Sequence, residues 1–185
     1  MKIVVLGWGS LTWRPESLKT KGDWAPAGPI LPIEFSRISE NGMLTLVIDE
    51  LNGVAVKTRV IESACVSLDD AIDNLRERER ARSANGIGFV DVRSQKLAVR
   101  AVERHDRSTK VIADWAKTYG VDAAIWTAIG PRWPLAGAFT VEAAARHLIG
   151  MSEPLRSRAH EYVEKAPAEV RTPVRVRFEQ ILAKK

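Results

Sequence analysis

Ile33-Glu34-Phe35-Ser36-Arg37-Ile38, Met43-Leu44-Thr45-Leu46-Val47-Ile48 and Val54-Ala55-Val56-Lys57-Thr58-Arg59-Val60-Ile61 are three apolar, β-branched runs separated by Glu40-Asn41-Gly42 and by Asn52-Gly53. Both separators are hairpin chemistry, because Asn and Gly tolerate positive φ, so the spacing predicts three sequential strands in an antiparallel meander. Upstream, Lys2 to Leu6 reads as a buried strand closed by the tight turn Gly7-Trp8-Gly9-Ser10; three prolines and a glycine between Ala25 and Pro32 make Ala25-Pro26-Ala27-Gly28-Pro29 an irregular connection. Downstream, Ser67 followed by Asp70 resembles a capping box, and Leu68, Ala71, Ile72 and Leu75 then repeat at helical spacing.

After Asn85-Gly86 the pattern predicts strands at Ile87–Val92 and Leu97–Val102, a helix from Ser108 to Tyr119 and a buried strand at Ala123–Ile129. Helices follow at Val141–Ile149 and at Glu153–Lys165 with Ser152 as N-cap, while Val174–Leu182 fits strand or helix. Hairpins first and helices later argue an α+β fold, read as a small, mainly antiparallel β-barrel with peripheral helices.

With 185 residues the chain suits one domain spanning residues 1–185. Hydrophobic residues at 45% and charged residues at 28% exclude intrinsic disorder. The uncharged run Ile3–Trp13 is far short of the ~20 residues that span a bilayer and lacks a signal peptide's cleavage pattern, so neither membrane spanning nor secretion is expected. Cys65 is the single cysteine, which excludes an intrachain disulfide and suits a reducing cytoplasm. Arg76 to Lys110 holds ten basic and five acidic residues and so carries the whole net charge of +5. Nucleic-acid binding would rest on that charge alone and is disfavoured.

Two stretches carry candidate chemistry. Gly7-Trp8-Gly9-Ser10-Leu11-Thr12 comes near a dinucleotide fingerprint, but Thr12 occupies the third glycine's place, Pro15 interrupts the helix required there, and hairpins follow instead of a βαβ unit. A turn rich in backbone N–H groups can instead cradle a carboxylate. The alternative is a sharp exit from the first strand with Trp8 and Trp13 as core. The second stretch is the end of the Ser67 helix, where Glu79 lies four residues after Leu75, seven after Ile72 and eleven after Leu68, continuing the apolar stripe. A carboxylate placed there loses hydration and is prepared for proton transfer near neutral pH. The alternative is a solvated salt bridge with Arg76, Arg78, Arg80 or Arg82. His105, His147 and His160 have no zinc-ligand spacing, Ser10 lacks the flanks of a nucleophile elbow, and Cys65 reads as a buried, inert thiol. No metal or cofactor is called for.

A strand ending in Trp8-Gly9-Ser10-Leu11, hairpins that include Pro32-Ile33-Glu34-Phe35-Ser36-Arg37, and a helix ending Leu75-Arg76-Glu77-Arg78-Glu79 together resemble the γ-glutamylcyclotransferase-like family. The resemblance covers residues 1–92 and resumes more weakly around 124–162. It implies a compact barrel whose mouth binds a small-molecule γ-glutamyl substrate, with Trp8, Gly9, Ser10 and Leu11 holding the substrate through backbone groups and Glu79 as general acid and base. The implied reaction closes 5-oxoproline and expels an amine or amino acid. Trp8 stands where the family usually carries Tyr, and the Ser108–Tyr119 helix resembles an insertion. Another possibility from a different class is a non-catalytic binder of a small anion or metabolite. The leaving group and oligomeric state are not encoded in these patterns.

Overall fold

The computed structural model describes residues 1–184. They form a mixed α+β architecture of nine strands in two sheets, with five helices. The strands are β1 (Ile3–Gly7), β2 (Thr20–Ala25), β3 (Ile30–Ile38), β4 (Leu44–Ile48), β5 (Val54–Lys57), β6 (Arg59–Ser63), β7 (Ile87–Asp91), β8 (Lys96–Leu97) and β9 (Ala123–Thr127). The helices are α1 (Leu68–Arg78), α2 (Val99–Tyr119), α3 (Val141–Gly150), α4 (Leu155–Lys165) and α5 (Pro173–Leu182).

The larger sheet runs β2-β6-β1-β9-β7-β8, with β1 and β9 parallel and the other neighbours antiparallel. Strand β1 is buried on both faces, which is why it reads as an unbroken apolar run. Its alternate residues serve two cores. Ile3 and Val5 join Leu11, Leu18, Ala71 and Leu75 beneath α1, while Val4 and Leu6 face a larger core shared with the second sheet and the remaining helices. Strand β9 divides in the same way, Ala123 and Ile125 on the α1 side and Ala124 and Trp126 on the other. The turn after β1 and the C-terminal end of α1 meet beyond the C-terminal end of this central strand.

The expected barrel is not closed: among the described residues the strands form two open sheets. The run Val54–Ile61 divides at Thr58, whose N–H and Oγ1 both donate to the Pro29 carbonyl while its own carbonyl accepts from the Gly28 N–H. That commitment turns the chain out of the small sheet and into the large one.

The meander is corrected too, because β4 and β5 do not pair but flank β3 on opposite edges. Asp49 accepts from the Leu51 and Asn52 N–H groups and from Asn52 Nδ2, folding a turn that carries the chain across Pro32. Gly53 permits the crossing, since a Cβ there would lie 2.5 Å from the Pro32 carbonyl carbon.

The expected strand Leu97–Val102 is mostly helix. Strand β8 ends at Leu97, and the Ala98 carbonyl accepts from the Ala101 and Val102 N–H groups to open α2. Ala101, His105, Ser108, Thr109, Ile112 and Ala116 form the buried stripe, with a break at His105 (φ −153°, ψ 69°). The segment 108–119 is thus the second half of a longer helix. Val174–Leu182 is helical, capped by the Thr172 hydroxyl. Helix α4 starts after Pro154, so Ser152 is not its N-cap. No helix among the described residues is long and apolar enough to cross a membrane.

Candidate functional site

A cavity of about 250 Å³ opens where β1 ends. Trp8, Gly9, Ser10 and Leu11 form one wall and Glu79 another, so the two stretches singled out in the sequence share one space. The turn is built by a short 3-10 segment, Ser10–Thr12, in which the Gly9 carbonyl accepts from the Thr12 N–H and hydroxyl. Leu11 is 6% exposed and anchors the segment in the α1 core, while Trp8, 5% exposed, belongs to the larger core. Trp8 thus forms wall without filling the cavity.

Helix α1 delivers Glu79. Ser67 caps its N-terminus by accepting from the Asp70 N–H, as the sequence predicts. At the other end Glu79 is the C-cap, with its N–H donating to the Leu75 carbonyl, and Arg80 at φ 53° ends the helix. Asn74 fixes the helix to the segment after the turn, accepting from the Lys19 N–H and donating to the Ser17 carbonyl.

Arg78 ties these parts together. Its side chain is 8% exposed; Nη1 donates to Glu79 Oε1 at 2.8 Å, and Nη2 donates to Ser10 Oγ at 3.2 Å and to the Arg14 carbonyl at 2.6 Å. Of the four arginines near Glu79 it is Arg78 that pairs, and it pairs from inside the protein. Burial raises the Glu79 pKa above its ordinary value, opposed by Arg78 and by the Thr127 hydroxyl and assisted by the charge of Glu16. Desolvation outweighs the ion pair, the condition that favours a general acid–base role.

Three groups on the cavity wall lie outside the sequence reading. Tyr162, from α4, packs edge-on against Trp13 and Phe35 with ring centroids 5.3 and 5.8 Å away. A Cβ on Gly9 would fall 2.5 Å from its hydroxyl oxygen, so glycine is what lets Tyr162 reach the turn. Desolvation, then the neighbouring Glu79 charge, pushes the Tyr162 pKa up to about 12, which keeps the phenol protonated and able to donate. Thr127, at the end of β9, has a buried hydroxyl with no well-aligned hydrogen-bond partner among the described residues. Arg37, from β3, completes the wall and donates to the Gly130 carbonyl at 2.9 Å.

A second cavity of about 200 Å³ shares Ser10 and Tyr162 as walls and is bounded further by Trp13, Arg14, Arg158 and Glu161. No residue of α2 lines either cavity. Wheel spacing shows Arg78 on the buried face, three residues after Leu75 and seven after Ala71, so the argument that selects Glu79 also contained Arg78. Tyr162 and Thr127 carry no local signal.

The remaining candidates lie elsewhere. His147 bonds the Gly42 carbonyl, His160 packs on Phe178, and His105 accepts from Trp126 Nε1. Among the described residues no group of three or more His, Cys, Asp or Glu is placed to hold a metal ion. In the basic stretch, Arg76, Arg93, Arg100, Arg107 and Lys110 pair with nearby carboxylates, leaving little of the excess as one free face. Comparison with protein-family models, with curated proteins and with solved structures gives no match to this chain.

Proposed function

We propose that the chain is a γ-glutamylcyclotransferase-like enzyme that cleaves a γ-glutamyl amide and releases 5-oxoproline. The observation that carries this reading is the shared cavity, in which a desolvated carboxylate, Glu79, faces a turn rich in backbone N–H groups. A cavity of about 250 Å³ lies below the ~300–1,000 Å³ common for drug-sized ligands, which suits a fragment the size of a glutamyl group. The second cavity beyond Ser10 and Tyr162 offers space for the group that leaves.

The reaction needs little from the protein. Nucleophile and carbonyl belong to one molecule, so effective concentration supplies much of the acceleration. Glu79, ionised, takes a proton from the substrate α-ammonium, and the freed amine attacks the γ-carbonyl carbon to close a five-membered ring. The carbonyl π pair moves to oxygen, where backbone N–H groups of the turn and the Tyr162 hydroxyl donate to the developing oxyanion. The oxyanion then reforms the carbonyl as the C–N bond breaks; that bond's electron pair goes to the leaving nitrogen, which takes the proton back from Glu79, and the freed carboxylate passes the remaining extra proton of the ring nitrogen to the released amine, which departs as an ammonium. The carboxylate is regenerated and no water is consumed. A Glu79 pKa raised by burial narrows the gap to the ammonium and serves both transfers.

A second reading, a non-catalytic binder of a small anion or metabolite, is favoured by the Arg78–Glu79 ion pair, which stabilises the charged form. The two separate in one experiment: incubate the protein with a panel of γ-glutamyl amino acids and γ-glutamylamines and measure 5-oxoproline. Release supports the enzyme. Binding of panel members by calorimetry without release favours the binder.

A further inference from the structure

We infer that Arg37 is the anchor for the substrate's α-carboxylate and so determines specificity for substrates that carry a free one. The inference rests on the γ-glutamyl reading above and adds to it a residue that no part of that reading requires.

Charge is the starting point. The charged side chains on the main cavity wall are Arg37 and Glu79. Glu79 is already matched by Arg78 at 2.8 Å. Among the described residues no carboxylate lies within ion-pair distance of Arg37, and its guanidinium makes a single hydrogen bond, from Nη1 to the Gly130 carbonyl. A guanidinium carries five N–H donors, so most of this donor set remains for a ligand.

The surroundings strengthen the field. Arg104 and Arg132 both bear on Arg37, lowering its pKa after the larger effect of burial, while Glu40 acts weakly in the opposite direction. Arg104 is held in place by the Ala128 carbonyl, and the Arg132 N–H donates to the Ser36 carbonyl beside Arg37. Three arginines therefore converge where the chain leaves β9, with no acid paired to the one that reaches the cavity. A partly buried cation without a partner is costly unless an anion joins it, so the arrangement selects for a ligand with an uncompensated negative charge.

A γ-glutamyl head group has the complementary pattern. Its α-ammonium belongs near Glu79, which must take its proton, and its α-carboxylate then needs a cation other than Arg78. Bidentate capture by Arg37 would fix the substrate at two charged points and hold the amine in line with the γ-carbonyl.

The test uses paired ligands and two variants. Turnover of a γ-glutamyl amide is compared with that of the same compound bearing an α-carboxamide, and binding of 5-oxoproline with that of its amide, for wild type, Arg37→Met and Arg37→Lys. The expected result is a preference for the carboxylate of roughly 10- to 100-fold, the span of one charge-assisted contact. It should be lost in Arg37→Met and partly kept in Arg37→Lys. An equal response of the wild type to both ligands overturns the assignment whatever the variants do. A preference that survives in folded Arg37→Met overturns it while leaving the γ-glutamyl reading standing. If the wild type neither turns over the amide nor binds 5-oxoproline, the γ-glutamyl reading falls and this assignment falls with it.

Discussion

Arg78 holds Glu79 at 2.8 Å from inside the protein, and the same guanidinium reaches Ser10, on the turn that lines the cavity, and the Arg14 carbonyl just after that turn. One buried cation thus sets the distance between the carboxylate and the turn. It also limits how far burial can raise the carboxylate pKa.

Arg78→Met removes the counter-charge and the tether together. The Glu79 pKa is then expected to rise further, moving the acidic limb of the pH profile of kcat/KM upward. Losing charge-assisted hydrogen bonds from a buried site should also cost about 1.5–3 kcal/mol of stability. Kinetics across pH and urea unfolding check the two effects separately. An acidic limb that moves down would show that Arg78 does not stabilise the Glu79 charge.

Gly9 and Tyr162 are expected to be coupled. Gly9→Ala sets a Cβ 2.5 Å from the Tyr162 hydroxyl, whereas the adjoining ring carbon is 3.6 Å away, an ordinary contact. The substitution should therefore destabilise the wild type by about 1–3 kcal/mol and cost much less in a Tyr162→Phe background. A double-mutant cycle measured by chemical denaturation tests this. Strictly additive effects would mean that the Tyr162 hydroxyl is not what excludes a side chain at position 9. If Tyr162 also donates to the oxyanion, Tyr162→Phe alone is expected to lower kcat by about 10²-fold.

Much of this site was legible and some was not, for identifiable reasons. Periodicity along α1 shows that Glu79 continues the apolar stripe of Leu68, Ile72 and Leu75, and that reading is local. Strand β2 gives no such signal: Thr20–Ala25 is polar, contains Gly22 at φ 71° and shifts register against β6 between Lys21 and Ala25. The open sheets could not be read either, because the break in Val54–Ile61 depends on hydrogen bonds between Thr58 and the distant Gly28–Pro29. In Leu97–Val102 a period of two and a period near four both fit, and packing of Ala101 and His105 chose the helix. Tyr162 lies on a helix more than 150 residues from Gly9, so only the tertiary fold brings them together.

Stability should respond to pH through His105. Its side chain is 2% exposed, Nε2 accepts from Trp126 at 3.4 Å, Nδ1 has no hydrogen-bond partner among the described residues, and burial lowers its pKa from 6.5 to about 4. Between those values the unfolded chain binds the proton more readily than the folded one, so folding stability falls as pH drops from about 6.5 towards 4. His105→Gln is expected to flatten that part of the Tm profile. A decline identical to wild type would assign it to other groups.

Glu79 has the opposite linkage. Its folded pKa is raised above 4.5, so the folded chain binds this proton more readily than the unfolded one, and the group's stabilising effect is lost as pH rises through the folded value. Relative to Glu79→Gln, the wild type should therefore lose stability as pH rises from about 4.5 through that value. Thermal melts of both proteins over that range give the difference curve, and a flat curve would show that Glu79 is not desolvated.

The most direct measurement is 5-oxoproline release from γ-glutamyl amides by the wild type and by Glu79→Gln, each confirmed folded by circular dichroism. Release by the wild type and a fall of at least about 10²–10⁴-fold in the variant is the outcome expected of a proton shuttle at Glu79. Comparable release by both proteins would contradict that role.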